Sequence, residues 1–471
     1  MECGPPDAVP DRESHVDHAV IVIGAGAAGC AAALEASRLG LDVLVVDPAP
    51  VPGAGTLARG TIPAAVLREA IVQTIATRRL RQRSEPTAPL RLDSSELRGA
   101  RERVLRGHLS EMNRRLASHG VRFERGRASL RSPSEVFVER HGVRRAKFIV
   151  IATGTRSRRP ASFPFDGRVV CDDESVLRLE GVPRNLVIVG AEVVGCEFAC
   201  LFAALGANVT LVERRRRLLR CADREILELL HRSMQRLGIV VALEEEIQRL
   251  EIEQAGEPHA VVTLGSGRVE KCDRLLVLAG REPEVGALGL DRVDVATDAH
   301  GFIQVDEHFQ TSQPGVYAVG DVVGYPFRAG TGVHQARAAM LYAAGQDAPE
   351  PNEPPIAIHT FPEISIAGLI EEAARRLDVC YGIGIARFHE TLRGRIRAET
   401  GGLLKMLFRR DDRRLLGVQI IGEGATELVH LGAAWLESGA TLDQIANSVF
   451  NYPSLAEAYR VAALDGLRRA A

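Results

Sequence analysis

The chain has 471 residues, 46% hydrophobic and 25% charged, enough for about three domains with ample core. A net charge of −2 argues against nucleic-acid binding, and one tryptophan and six tyrosines leave no platform for stacking bases. Eight cysteines, none in a C-x-x-C pair, are too few for a disulfide scaffold.

The first 17 residues are polar and carry Cys3, prolines and mixed charge, without the basic and apolar regions of a signal peptide. A reducing, cytoplasmic setting is the expectation. Residues 18–23 are an apolar run that predicts a strand. Gly24, Gly26 and Gly29 follow, then an alanine- and leucine-rich helix over 27–39, with Gly40 at a cap position. A strand over 41–46 ends in an acid, Asp47. Strand, glycine turn, helix, strand and carboxylate make a dinucleotide-binding βαβ unit. Its turn faces backbone N–H groups toward a pyrophosphate, where the helix dipole favours an anion. An arginine-rich stretch, 78–115, predicts a solvated helical excursion with a helix over 97–119. Residues 147–154 (KFIVIATG) predict a buried strand that returns to the first sheet and ends in a turn at Gly154.

The same device recurs 166 residues further on. The apolar run 186–189 leads into Gly190 and Gly195. Glu213 follows Gly195 by 18 residues, the offset that separates Asp47 from Gly29. One match is weak; two with one offset imply a flavin and a nicotinamide held by one protein. Segment 186–212 is the most apolar of the chain, but Glu192, Glu197 and Asn208 lie in it, so it predicts a buried βαβ unit and no membrane span. Cys196 and Cys200, one helical turn apart, suit a helix core. Residues 275–280 (LLVLAG) mirror the earlier closing strand and end in Gly280. Residues 315–321 (GVYAVGD) are a short strand ending in Asp321, at the carboxyl edge where ligands of open α/β sheets sit. From about 349 the pattern changes to strands over 383–389, 403–408 and 415–421, then helices over 425–438 and 441–447, an α+β domain.

The ATG at 152–154, the second glycine turn and VYAVGD at 316–321 resemble the two-dinucleotide flavoproteins related to glutathione reductase and lipoamide dehydrogenase. Within them, segments 60–63 (GTIP), 320–326 (GDVVGYP) and 451–464 (NYPSLAEAYRVAAL) resemble the soluble pyridine nucleotide transhydrogenases. The resemblance implies an α/β fold with two Rossmann-like dinucleotide-binding domains plus a C-terminal α+β dimerisation domain. The expected boundaries are 18–155 for the FAD-binding domain, 156–284 for the NAD(P)-binding domain, 285–348 for the return to the first, and 349–471 for the last. It implies FAD along Gly24, Gly26 and Gly29, Asp47 on the adenosine ribose, Gly53, Gly55 and Thr56 near the flavin pyrophosphate, Gly154 in the pocket and Asp321 on the ribityl chain. Asp47 as a strand-end turn residue and Asp321 as a helix N-cap are the plainer alternatives. Gly190, Gly195, Glu213 and Gly280 fall to NAD or NADP. Glu213 favours NAD; Arg214 to Arg217 could bind a 2′-phosphate, although a solvated charge run is the simpler account of most of them.

Three departures stand against the family pattern. Gly55 and Thr61 replace the two redox cysteines, so no dithiol can form, and Cys30 lies inside the first helix. Ala64 and Ala65 replace a Ser-Lys pair whose lysine, in the family, lies near the reactive flavin nitrogen and pairs with a glutamate retained here as Glu197. That carboxylate needs another cation, a proton or a reorganised pocket. Glu192 replaces the second glycine of the nicotinamide fingerprint. A like charge ~4 Å from a phosphate at an effective dielectric of 20 repels it by about 4 kcal/mol, on the order of a thousandfold in affinity, unless the side chain swings away.

The expected activity is transfer of hydride from NAD(P)H through flavin to NAD(P)+ or another acceptor, with Glu197 the one family-matching polar group near the flavin ring. A flavin reductase of quinone or oxygen and a scaffold that has lost turnover are the rivals. The resemblance also implies a homodimer whose final loop, opened by Asn451 to Pro453, reaches the partner's flavin. An apolar stripe at Leu455, Ala458, Ala462 and Leu464 fits a buried helix face. Tyr452 stands where disulfide reductases have a histidine, and a phenol is no base at neutral pH.

Overall fold

Runs of β-branched residues flanked by glycine build parallel strands, and in the computed structural model they assemble into two sheets of that kind. Residues 16–55, 62–81, 94–179, 181–254, 256–349, 354–398 and 401–470 are described. The chain divides into two units, 1–57 with 107–156 and 282–350, and 58–106 with 157–281 and 351–471.

The first unit is built on a seven-stranded sheet. Its parallel part runs Arg122–Arg125, Val43–Asp47, His18–Ile23, Gly142–Ile151 and Val316–Ala318. Val20 lies opposite both Val43 and Phe148. Glu135–Val138 and Ala128–Ser132 continue it as an antiparallel meander. The strand at 18–23 and the apolar end of 142–151, expected over 147–154, were legible as apolar runs, because a strand covered on both faces needs no alternation; the alternating start at 142–146 was not foreseen. The helix Ala27–Arg38 packs on Ala329–Ala343 through small residues, among them Ala32, Ala33, Ala36, Ala336 and Ala339, all buried. Gly40 follows this helix with φ +76° and donates its N–H to Ser37, as a C-terminal glycine stop requires.

The second unit holds a five-stranded parallel sheet in the order Val240–Leu243, Asn208–Glu213, Asn185–Val189, Arg274–Val277, Val170–Cys171. A three-stranded antiparallel sheet, from Ile247–Glu253 to Val269–Cys272, is inserted before its fourth strand. The C-terminal residues form a five-stranded antiparallel sheet, Ile356–Ile358, Ile364–Gly368, Leu415–Ile421, Leu403–Arg409 and Tyr381–Arg387, covered by the helices Ala425–Glu437 and Glu457–Ala470. The expected α+β character of this region is observed. Its core is continuous with that of the parallel sheet: Ile364, Ile366 and Ile421 pack in one cluster with Leu186, Phe198 and Ile226. Lys405, 1% exposed, joins the two parts by pairing with Asp223 (3.0 Å), Glu225 (2.7 Å) and Glu371. Burial opposes its charge, but the three carboxylates hold it protonated above the usual lysine range.

Two expectations need correction or extension. The helix expected over 97–119 spans Ser94–Ser118, preceded by a second helix, Ile62–Arg81, that the sequence reading missed. Among the described residues the expected C-terminal stripe does not form one buried face: Ala458 and Ala462 are fully buried, whereas Leu464 is 53% exposed. Tyr452 and Val449 are also exposed. No described helix is long and apolar enough to cross a membrane.

Candidate active site

The first glycine turn lies at the carboxyl end of its sheet. Gly24 has φ +104°, and a Cβ there would stand 2.3 Å from the Ala152 carbonyl oxygen, so the 152–154 segment lies directly against the turn. A Cβ on Gly29 would meet the Gly24 carbonyl oxygen at 1.8 Å, so the helix can start here only as glycine. Gly26 is the N-cap, at φ −74° and ψ −169°. Asp47 ends the next strand, and its carboxylate accepts from the Ala25 N–H (2.7 Å) and the Ala49 N–H (2.8 Å). Gly53 (φ +82°) donates its N–H to the Ala25 carbonyl (2.8 Å), which brings its loop back to the turn. Gly55 is in the same loop, with open space where a Cβ would go. Gly154 (φ +72°) accepts from the Glu284 N–H. Asp321, in a short 3₁₀ turn after Val316–Ala318, accepts from the Thr155 hydroxyl (3.3 Å). It is not the side-chain cap of that turn, whose N-cap is Val319. Thr56, Gly60 and Thr61 lie outside the described residues.

The unit thus gathers Gly24, Gly26, Gly29, Asp47, Gly53, Gly55, Gly154 and Asp321 at one sheet edge. Among the described residues four buried polar atoms of this unit have no hydrogen-bond partner: Glu124 Oε2, which faces His141 at 3.8 Å, and the Thr153 and Thr331 hydroxyls and His334 Nε2. Buried polar groups are otherwise paired, so orphans beside a glycine cradle fit a polar ligand such as FAD. Thr331 and His334 were missed by sequence reasoning, since GTGVH carries no motif.

The second turn repeats the first. Gly190 has φ +103°, and a Cβ on Gly195 would meet the Gly190 oxygen at 1.8 Å. Glu213 is buried and accepts from the Ala191 N–H (2.8 Å) and the Arg215 N–H (3.1 Å). Gly280 (φ +93°) closes the adjacent strand. Neither helix N-terminus, at Gly26 or Glu192, receives a side-chain cap, so the first-turn N–H groups of each are open to an anion. Cys30 and Cys196 donate to Ala25 and Ala191 at 3.3 Å each. Burial, with Asp47 nearby, pushes the Cys30 thiol up to about 12, and burial raises Cys200 to about 12 and Cys196 well above its usual value. All three are inert core thiols.

Glu192 does not stand as an unpaired negative charge. Its carboxylate oxygen Oε1 takes the Arg215 guanidinium and the Arg220 Nε (2.9 Å). Arg216 pairs with Glu244 (2.8 Å) and Arg217 with Glu372 (2.6 Å). The run is solvated, as expected for most of it, with Arg216 89% exposed, and three of its members make surface ion pairs; Arg214 has no carboxylate partner among the described residues. Repulsion of a phosphate by an isolated Glu192 is corrected accordingly.

Glu197 makes no ion pair among the described residues and is held instead by a backbone N–H. Its carboxylate accepts from the His359 N–H (2.7 Å). Burial pushes its pKa up to about 7, opposed by that N–H and by the charge of Arg68. Arg68 lies three residues beyond Ala65 on the helix Ile62–Arg81, one turn along the same face. It is 7% exposed, pairs with Glu363 (2.8 Å) and stands over the Phe361 ring (5.3 Å). The sequence signal for it was a basic residue at helical spacing from the lost lysine.

With this geometry in place, comparison with known proteins gives a direct result. The model of the pyridine nucleotide-disulphide oxidoreductase family matches residues 18–343, and that of its dimerisation domain matches 354–463. The chain belongs to this family. The family's cofactors are FAD and NAD(P). The chain is 34% identical over 461 residues to a soluble pyridine nucleotide transhydrogenase of Mycobacterium bovis, covering 96% of this chain and 98% of that one. It is 35% identical over 464 residues to one from Photorhabdus laumondii, covering 97% and 99%. In fold it is similar to LpdA from Mycobacterium tuberculosis (TM-score 0.85, 23% identity, 94% and 99% covered). It is also similar to the HOCl-induced flavoprotein disulfide reductase RclA from Escherichia coli (TM-score 0.84, 21% identity, 94% and 99% covered).

Proposed function

We propose that this family member is an FAD-dependent transhydrogenase that passes hydride from NAD(P)H to NAD(P)+. The observation that carries this reading is the identity of 34–35% to soluble pyridine nucleotide transhydrogenases along almost the whole chain. Bound FAD supplies the group that takes hydride from one nicotinamide and returns it to another. The protein's part is to hold and align. Gly24, Gly26 and Gly29 let the backbone approach the FAD pyrophosphate, and each Asp47 oxygen retains a lone pair for the adenosine ribose. Gly53, Gly55 and Gly154 line the flavin site, and Asp321 holds the ribityl chain; the part expected of Thr56, which lies outside the described residues, rests on the resemblance alone. Gly190, Gly195 and Gly280 serve the nicotinamide nucleotide, with Glu213 on its ribose. Glu197, with a pKa of about 7, suits a group that gives or takes a proton at neutral pH.

Disulfide reduction is outside this proposal. It needs one thiolate to attack and another to leave, and positions 55 and 61 are Gly and Thr. Thiol reagents are expected to leave activity intact. The working form is a cytoplasmic homodimer through the C-terminal domain, with Tyr452 packing or donating a hydrogen bond.

The test is a transfer assay. Flavin-loaded protein, NADPH and thio-NAD+ without oxygen should give reduced thio-NAD. Oxidation of NAD(P)H that needs oxygen or a quinone would assign the reductase rival instead. No oxidation with any acceptor would leave the scaffold.

A further inference from the structure

We propose that Glu192 is an internal anion that holds Arg215 and Arg220 at the second glycine turn and yields them to the phosphates of the arriving nicotinamide dinucleotide. This rests on the reading of that turn as the nicotinamide nucleotide site. Glu192 is the N-cap of the helix Val193–Ala204, at φ −77° and ψ −169°. Gly26, its counterpart, has φ −74° and the same ψ. The backbone there accepts any residue, so the fold itself neither requires nor forbids a glutamate.

Both guanidiniums converge on one oxygen of Glu192. Neither arrives by chance. Arg215 lies two residues beyond the strand whose last residue, Glu213, accepts the Arg215 N–H. Arg220 is placed by Leu219, which is 1% exposed and donates its N–H to the Ala191 carbonyl (3.3 Å), a bond to the turn itself. Leu219 has φ +34°, a conformation leucine rarely adopts and a core contact must hold. The loop is therefore folded so that Arg220 reaches the helix N-terminus.

The charges then sum simply. One carboxylate and two guanidiniums leave a single positive charge beside uncapped helix N–H groups. A diphosphate is the stronger acceptor, and planar guanidiniums bind phosphate oxygens as they bind carboxylate oxygens. Each guanidinium spends one nitrogen on Glu192, Nη1 of Arg215 and Nε of Arg220, so a phosphate that takes those same donors displaces the carboxylate. The first turn has no such device: the positions matching 215 and 220, at the same offset of 166, are Ala49 and Ala54.

Titration calorimetry of the flavin-loaded protein with NADH and with NADPH tests this. Glu192→Ala should tighten binding several-fold, because the nucleotide no longer competes for the arginines. In the Glu192→Ala background, Arg215→Ala or Arg220→Ala should weaken binding roughly tenfold, the loss of one charge-assisted contact. Arg220→Lys in that background should recover part of the loss. If the arginine replacements have no effect once Glu192 is gone, the arginines serve only to neutralise it and the handover is wrong. Unchanged affinity in Glu192→Ala also overturns it. Absence of any nucleotide binding, in parent and Glu192→Ala alike, brings down the nicotinamide-site reading and this proposal with it. Arg215 and Arg220 are 35% and 65% exposed at the side chain, so their replacement leaves the core untouched.

Discussion

The turns at Gly24 and Gly190 are one device built twice. The first glycine has φ +104° in one and +103° in the other. The last glycine of each fingerprint would drive a Cβ to 1.8 Å from the first glycine's oxygen in both. Each has a carboxylate bonded to the turn N–H, and a cysteine thiol bonded to the turn carbonyl at the same distance. They part at the middle position, Gly26 against Glu192, and again five residues later, Ala31 against Glu197. Positions that agree are imposed by strand–turn–helix geometry. Positions that differ are free of that geometry, and what occupies them answers to the ligand and the chemistry.

The largest effects should come from the shared positions. Gly29→Ala and Gly195→Ala should each cost about 3 kcal/mol or more, because the methyl meets a backbone oxygen that cannot yield. Thermal melts would break the comparison if either variant were as stable as the parent.

Next comes an exchange between the turns. Gly26→Glu copies position 192 into a turn that has alanines, Ala49 and Ala54, where the second turn has Arg215 and Arg220. The fold should hold, while ~4 kcal/mol of repulsion at ~4 Å removes FAD affinity by roughly a thousandfold. Flavin content after purification reads this directly. A folded, yellow Gly26→Glu protein would separate the pyrophosphate from this turn.

Smaller losses should follow from the carboxylates. Asp47→Ala and Glu213→Ala each remove an acceptor of two backbone N–H bonds, costing about 2 kcal/mol of stability. Glu213→Ala should also weaken NADH more than NADPH. The opposite order would point to Arg214, the arginine of the run without a carboxylate partner among the described residues, as the residue that governs the choice.

The subtlest contrast is Ala31 against Glu197. Burial raises the Glu197 pKa from 4.5 to about 7, so the folded protein favours its neutral form. Its contribution is fully present below about 4.5 and is lost as pH rises toward about 7. Glu197→Gln should flatten that part of the stability–pH curve, with a higher melting temperature than the parent at pH above about 7. A variant curve parallel to the parent's would show that Glu197 does not titrate there. Arg68→Met, which removes the opposing charge, should steepen the fall.

Most of the two nucleotide-binding units was legible because their determinants are local. Apolar runs, glycines at fixed spacing and a terminal acid lie within thirty residues of each other. The C-terminal α+β pattern was legible for the same reason. What escaped was set by distance. Arg217 meets Glu372, 155 positions away, and Lys405 meets Glu225 across 180. The run of four arginines is solvated as expected, but the carboxylates that three of them meet could not be read from the local sequence. The helix Ile62–Arg81 was missed because its arginines obscure an apolar face that includes the buried Ile71. Arg68 lay in plain view, but its pairing with Glu363, 295 positions away, was not readable from the sequence. The flavin-loop residues Thr56 and Thr61 rest on sequence alone.

The central claim is that two like turns hold two dinucleotides that exchange hydride. Its most direct measurement is an anaerobic titration of the visible flavin absorbance with NADPH, followed by NAD+. The account predicts that NADPH bleaches the flavin and that NAD+ restores its colour with formation of NADH. Flavin that stays oxidised under saturating NADPH and NADH alike would contradict it.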